Sequence, residues 1–193
     1  FVGNYFQWKP QALDGHEEVY TGLEGVTPDG VFAPYFSLDE NGNVVTEPVV
    51  DPFTLPFHVE GMEKQEQSLK SHIYPPYKYP VQGNEIWVIT LETPVIVAEE
   101  EVKGFTGVDM KIEFIQQLLA DYNQEAFDGK AQISLIASSG QYIAHTHHAG
   151  WRGKSLKTLQ PDTYEQQLAE IKRANELLFE EADSLHIRNP LQF

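Results

Sequence analysis

Residues 83–110, GNEIWVITLETPVIVAEEEVKGFTGVDM, carry the pattern on which the fold turns. Ile86-Trp87-Val88-Ile89-Thr90-Leu91 and Val95-Ile96-Val97 are β-branched and aromatic runs, and such side chains fit the pleated, half-buried surface of a strand. After the acidic turn Ala98-Glu99-Glu100-Glu101 a third run, Val102 to Val108, leads back towards Asp109. The spacing predicts a long β-hairpin. Directly afterwards the hydrophobic period changes from two to about 3.6, because Ile112, Ile115, Leu118, Leu119 and Tyr122 share one helical face. The hairpin thus delivers Asp109 to a strand-to-helix junction, and the helix ends near Asn123.

On the N-terminal side, residues 1–8 (FVGNYFQW) read as a strand, closed by Lys9-Pro10 and Asp14-Gly15. Residues 22–30 hold three glycines and Pro28-Asp29-Gly30 and predict irregular surface chain. Val31 to Val49 then form a hairpin around Asn41-Gly42, a strong tight-turn pair. Glu60 to Leu69 is polar and helix-tolerant and predicts one short surface helix. His72 to Val81 (HIYPPYKYPV) is aromatic but proline-rich, so it predicts a broken or edge strand: proline cannot donate to a central ladder.

Asp128-Gly129 separates a second module. Ala131 to Ala137 and Gln141 to Thr146 predict another hairpin around Ser138-Ser139-Gly140. Asp162 with Glu165 predicts a capping box that starts a helix, continued by Leu168, Ile171 and Ala174 on its buried face. Two further strands are expected within residues 177–193. Both halves read as hairpins plus a helix, an α/β (α+β) chain divided at 1–127 and 128–193.

Of 193 residues 41% are hydrophobic, enough to bury a core, and no run approaches the roughly 20 apolar residues that span a bilayer. Thirteen basic against 29 acidic residues give a formal charge of -16, which repels phosphate backbones and argues against a nucleic-acid partner. With no cysteine, thiolate nucleophiles, disulfides and Cys-ligated metals are excluded. A phosphate-cradling glycine loop is absent, and Ser138-Ser139-Gly140 lacks the flanking glycines of a nucleophile elbow. Asp39-Glu40-Asn41-Gly42-Asn43 has neither glycine at the sixth position nor Glu at the twelfth of a calcium loop, so a hairpin turn is expected there. His145 and His147 would share a face of a strand while His148 points away, so only two imidazoles could converge and structural histidines are expected. No cofactor and no metal are expected. Asp109 has two possible roles: capping the following helix, as Asp often does, or contacting a ligand.

Three blocks of this sequence resemble, in order, the double Cache (dCache) extracytoplasmic sensor domains of bacterial chemoreceptors, sensor kinases and cyclases. Trp8-Lys9-Pro10-Gln11-Ala12-Leu13-Asp14-Gly15 is similar to the family's W-x-P-x-A-x-D-G block. Residues 29–35 (DGVFAPY) are similar to G-R-F-x-P-Y, with Val31 where Arg is usual. Pro76-Tyr77 through Gly83, Thr93-Pro94 and residues 104–110 (GFTGVDM) are similar to the P-Y, G, P-I and G-V-x-G-V-D series. Residues 134–145 followed by Gly153-Lys154-Ser155-Leu156 resemble the membrane-proximal module.

The resemblance implies two PAS-like modules, each an antiparallel sheet flanked by helices: residues 1–127 membrane-distal and ligand-binding, 128–193 membrane-proximal and incomplete. It implies the extracytoplasmic, periplasmic sensing domain of a membrane receptor, most of all a methyl-accepting chemotaxis protein, without enzymatic activity of its own. A histidine kinase or diguanylate cyclase is the alternative output, and the parent is expected to be anchored by flanking helices and to work as a homodimer. A protein-recognition module without small ligand, or a metal-dependent enzyme using His145 and His147, are the readings from other classes.

The implied ligand is a small molecule, an amine, amino acid or other small polar metabolite. Family members that bind α-amino acids use an Arg-x-Trp-Tyr element, a Tyr and an Asp on the P-Y strand, and the Asp of G-V-D. Tyr77 and Asp109 stand in matching positions, but residues 54–58 (TLPFH) have no Arg and Tyr79 replaces the strand Asp. That pattern shifts the expectation towards a cationic amine. The candidate ligand-binding residues are Asp109, Tyr77, Tyr79, Phe57, His58 and Trp87.

Overall fold

The computed structural model describes residues 2–50, 56–97 and 100–173. The chain divides into two compact units, the first residues 1–114 and the second beginning at Ile115.

The first unit is built on six antiparallel strands. β1 (Gly3–Trp8), β2 (Pro34–Leu38), β3 (Val44–Pro48), β4 (His72–Val81), β5 (Asn84–Ile96) and β6 (Val102–Lys111) lie in the order β3-β2-β1-β6-β5-β4. The long hairpin expected from residues 83–110 is β5–β6, and Pro94 is absorbed within β5. β1 enters the sheet between the two hairpins, pairing with both β2 and β6. β4 is the edge strand its prolines demand. Its register against β5 shifts between Tyr74 and Tyr77, where Pro75-Pro76 interrupts the ladder. In the β2–β3 turn the Asp39 carboxylate accepts the backbone N–H groups of Asn41 and Asn43 at 2.9 and 2.8 Å, so this segment is a hairpin turn.

The sheet is strongly curled. In a flat sheet β2 and β4 would lie about 19 Å apart, four strand spacings. Instead the Tyr35 and Tyr79 rings approach to 5.2 Å between centroids. Gln82, in the β4–β5 turn, donates from its side chain to Ser37 Oγ at 2.9 Å and from its backbone to Glu47 at 3.0 Å, tying one edge of the sheet to the other. The helix α1 (Pro56–Ser68) covers the concave face through Gly61, Met62 and Gln65. It begins four residues before the expected helix, at a proline, which is well tolerated in a first helical turn.

α2 (Ile112–Phe127) follows β6 directly and outlasts its expected end. Its sheltered side differs from the stripe read from apolar residues alone: Leu118 and Tyr122 are exposed, whereas Asn123 is buried. Gln116 and Asn123 turn inward because they have hydrogen bonds to make. Gln116 receives the His145 N–H and donates to the His145 carbonyl, both at 3.1 Å, and Asn123 Oδ1 accepts the Ala131 N–H.

The second unit also contains the hairpin β7 (Ser134–Ile136) and β8 (Tyr142–His145), the short helix α3 (Leu156–Leu159) and a helix over residues 164–173. Ser155 caps α3, accepting the Lys157 N–H. The expected capping box at Asp162 is not formed: residues Pro161–Thr163 are a 3-10 turn capped by Gln160, without a side-chain cap. The strands expected within 177–193, and Ala174, lie outside the described residues.

Candidate functional site

Alternation and register place the site. Side chains two apart on a strand share a face, so Val88, Thr90 and Glu92 of β5 point the same way. Thr90 pairs with Asp109 and Glu92 with Gly107 on β6, and Gly3 pairs with Asp109 and Tyr5 with Gly107 on β1. Tyr5 in turn pairs with Tyr35 on β2. Asp109, Thr90, Glu92, Tyr5, Gln7 and Tyr35 therefore all lie on the face that α1 covers. On β4 the shift at Pro75-Pro76 changes the inward parity from even to odd, so Tyr74, Tyr77 and Tyr79 all face in.

Two glycines make room for this aromatic layer. A Cβ on Gly107 would stand 2.6 Å from the Tyr5 ring, and one on Gly3 2.6 Å from the Tyr35 ring. Gly107→Ala is therefore expected to destabilise the domain by about 1–3 kcal/mol, the usual range for an overpacked core. A urea melt would check it, and wild-type stability would show that Tyr5 does not need the close approach.

The face holds two buried carboxylates with different surroundings. Glu92 is 3% exposed and fully engaged. Its Oε2 accepts the Tyr5 hydroxyl at 2.5 Å and Gln7 Nε2 at 3.4 Å, and its Oε1 accepts Tyr74 and Gln65 Nε2, both at 2.7 Å. Burial raises its pKa, and these hydrogen bonds work against the rise. Asp109, 1% exposed, accepts two among the described residues: Thr90 Oγ1 at 2.5 Å and the Tyr35 hydroxyl at 2.9 Å. Burial pushes its pKa up to about 6, against the two hydrogen bonds. Because Thr90 donates to Asp109, the 2.7 Å contact between Thr90 and Tyr77 has the Tyr77 hydroxyl as donor. Burial raises the pKa of Tyr5, Tyr35, Tyr74 and Tyr77, so their hydroxyls stay protonated and donate.

Between these groups lies a cavity lined by Tyr5, Gln7, Val49, His58, Tyr77, Tyr79, Glu92 and Asp109. It has room for about one water molecule. No lysine or arginine is among the lining residues. The ion pairs of the first unit, such as Lys9–Glu66 and Lys64–Glu60, are on the surface. Among the described residues the lining is anionic, with no lysine or arginine to balance it.

No family model matches the chain. It is 23% identical to the methyl-accepting chemotaxis protein TlpQ of Pseudomonas aeruginosa over 210 residues, which covers 99% of this chain and 28% of that protein. Among solved structures it superposes on the extracellular domain of a candidate histidine kinase, mmHK1S-Z3, with a TM-score of 0.67 at 22% identity, covering 89% of this chain and 59% of that one. The periplasmic sensory domain of the Campylobacter jejuni chemoreceptor Tlp1 gives 0.61 at 19% identity, with 88% and 59% covered. This chain has the fold of a Cache sensor domain. It spans under a third of its curated relative and about 60% of those sensor domains.

Within the Cache fold, the residues singled out from sequence separate into two groups. Asp109, Tyr77, Tyr79 and His58 all line the cavity. Phe57 stands behind them, its ring 4.5 Å from His58 and 5.1 Å from Tyr77. Trp87 does not join them: it has the parity of Ile89 and Leu91 and projects from the opposite face of β5. Asp109 is not a helix cap, for it lies inside β6, three residues before α2, and spends its carboxylate on Thr90 and Tyr35. Glu92, Tyr5, Gln7 and Thr90 join the site although the motif comparison does not mark them. Strand parity alone could have found Glu92 and Thr90, four and two residues from Val88.

The histidines of the second unit are arranged otherwise than expected. His145 ends β8, is 1% exposed, and its Nδ1 accepts the backbone N–H groups of both His147 and His148 at 3.1 Å. The chain turns back over the ring, so His148 lies nearer to it than His147 does, 4.8 against 6.5 Å. With Nδ1 an acceptor, Nε2 carries the proton, and it accepts nothing from the Gln132 side-chain nitrogen 3.3 Å away. His145 is a structural residue that organises this turn. Among the described residues no group of three or more His, Cys, Asp or Glu side chains could hold a metal ion.

Proposed function

We propose that this Cache domain is the extracytoplasmic, periplasmic small-molecule sensing domain of a bacterial methyl-accepting chemotaxis protein, and that it binds a cationic amine against Asp109. Residues 1–127 serve as its membrane-distal, ligand-binding module and 128–193 belong to the membrane-proximal one. The observation that carries the reading is the buried Asp109 carboxylate, facing a tyrosine-walled cavity with no lysine or arginine among its described lining residues. An amine supplies the missing charge and N–H donors, and the rings attract its cationic head. A free α-amino acid would also bring a carboxylate, for which the lining offers no guanidinium fork. Ligand binding favours one arrangement of α1 over the sheet, and that preference is what the receptor transmits.

The parent protein is then anchored through helices flanking this chain and works as a homodimer. Among the described residues no helix is long and apolar enough to cross a membrane. The fold shared with the mmHK1S-Z3 domain favours a histidine kinase as the second reading of the output. A thermal-shift screen against amines, amino acids, carboxylates, purines and sugars tests the ligand class. A ligand at a hundredfold excess over its dissociation constant stabilises by about 2.7 kcal/mol, roughly 5 to 10 °C for a chain of this size. Hits confined to carboxylates or sugars would overturn the amine assignment, and silence across the panel would favour a protein partner as signal.

A further inference from the structure

We propose that His58 makes this site select amines that carry N–H groups over quaternary ammonium ions, an inference that rests on the amine reading above. His58 Nε2 is buried and has no hydrogen-bond partner among the described residues, although the residue lines the same cavity as Asp109. Buried polar atoms without partners are rare in native structures and are costly to keep.

The ring is not free to seek one elsewhere. It is wedged edge-on among Phe57, Tyr74 and Tyr77, with centroids 4.5, 4.6 and 5.1 Å away. Burial pushes its pKa down to about 4, so at neutral pH the imidazole is uncharged and does not repel a cation. A neutral imidazole offers one nitrogen as an acceptor. With Nε2 in that role the cavity presents a cation with two acceptors: the imidazole nitrogen and Asp109, whose carboxylate keeps lone pairs beyond the two used by Thr90 and Tyr35.

The aromatic walls taken alone would suit either kind of cation, since attraction to a ring face requires no N–H. The acceptors decide between them. A primary or secondary ammonium can donate to Asp109 and His58 together. A quaternary ammonium has no donor, so it leaves Nε2 unpaired and holds the carboxylate off with its methyl groups. Sites built to hydrogen-bond a ligand group discriminate strongly against analogues that lack it.

The test uses pairs that differ only in N-methylation: ethanolamine and choline, and propylamine and propyltrimethylammonium. Their affinities are measured by titration calorimetry on the whole domain, for wild type, His58→Gln and His58→Phe, after circular dichroism confirms folding. The expected result is a preference of about tenfold or more for the N–H member, kept in His58→Gln and reduced to about twofold or less in His58→Phe. His58→Leu takes the place of His58→Phe should that variant not fold. Amines that bind with no preference over their methylated partners, or a preference that survives in His58→Phe, overturn the proposal while leaving Asp109 as the amine site. Binding by no member of any pair overturns both.

Discussion

Glu92→Ala is expected to lower the stability of this domain by about 4 kcal/mol, a large share of the roughly 5–15 kcal/mol that a native domain commands. Two hydroxyls and two amides, from Tyr5, Tyr74, Gln65 and Gln7, converge on one buried carboxylate. They belong to β1, β4 and α1, so the carboxylate ties the covering helix to both sides of the sheet. Truncation removes the acceptor and leaves the donors facing each other across a void. Glu92→Gln should be far milder, within about 1–2 kcal/mol, because the tyrosine hydroxyls can turn and accept from the new amide. Urea melts with unchanged m-values would measure both. A Glu92→Ala variant within about 1 kcal/mol of wild type would show that the network does not hold α1 in place.

How much of this was legible beforehand follows from what period and register encode. The β-branched runs of residues 83–110 specify β5 and β6, and the proline-rich β4 specifies its own place at an edge. Asp109 was findable because the chain around it is strongly patterned. Insertion of β1 between the two hairpins was not, since strand order depends on pairings far apart in the chain, and nothing local encodes them. Glu92 was concealed by its chemistry: an acidic residue in a strand reads as solvent-facing, although it shares the parity of Val88 and Thr90. The same bias misplaced the sheltered side of α2, where Gln116 and Asn123 turn inward because each finds hydrogen-bond partners there. Trp87 illustrates the opposite error. An aromatic beside a site draws attention, but its odd parity on β5 sends it to the other face.

Asp109→Asn should uncouple stability from ligand binding, and the sign of each effect follows from one shifted group. Burial raises the Asp109 pKa from 3.8 to about 6 in the folded chain. Between those values the native state binds more protons than the unfolded one, so stability falls as pH rises through the window and stays lower above it. The loss for a shift of this size is roughly 3 kcal/mol by about pH 7.5. An asparagine amide cannot ionise, so the variant is expected to be more stable than wild type by up to roughly 3 kcal/mol at about pH 7.5 and equal to it near about pH 3, below the unfolded pKa. Amine binding should move the other way: lost in the variant, and in wild type weakening about tenfold per pH unit below about 6 as the carboxylate is protonated. Denaturant melts at the two pH values and calorimetric titrations across roughly pH 5–8 read these separately. Destabilisation of Asp109→Asn at the higher pH, or amine binding that survives it, would remove the carboxylate from this role. If both effects appear, the empty domain carries an uncompensated buried charge that destabilises it, and the arriving cation relieves that charge. The ligand then favours whichever arrangement of α1 and the sheet closes most tightly around the neutralised pair, which is the differential affinity a receptor needs to change state.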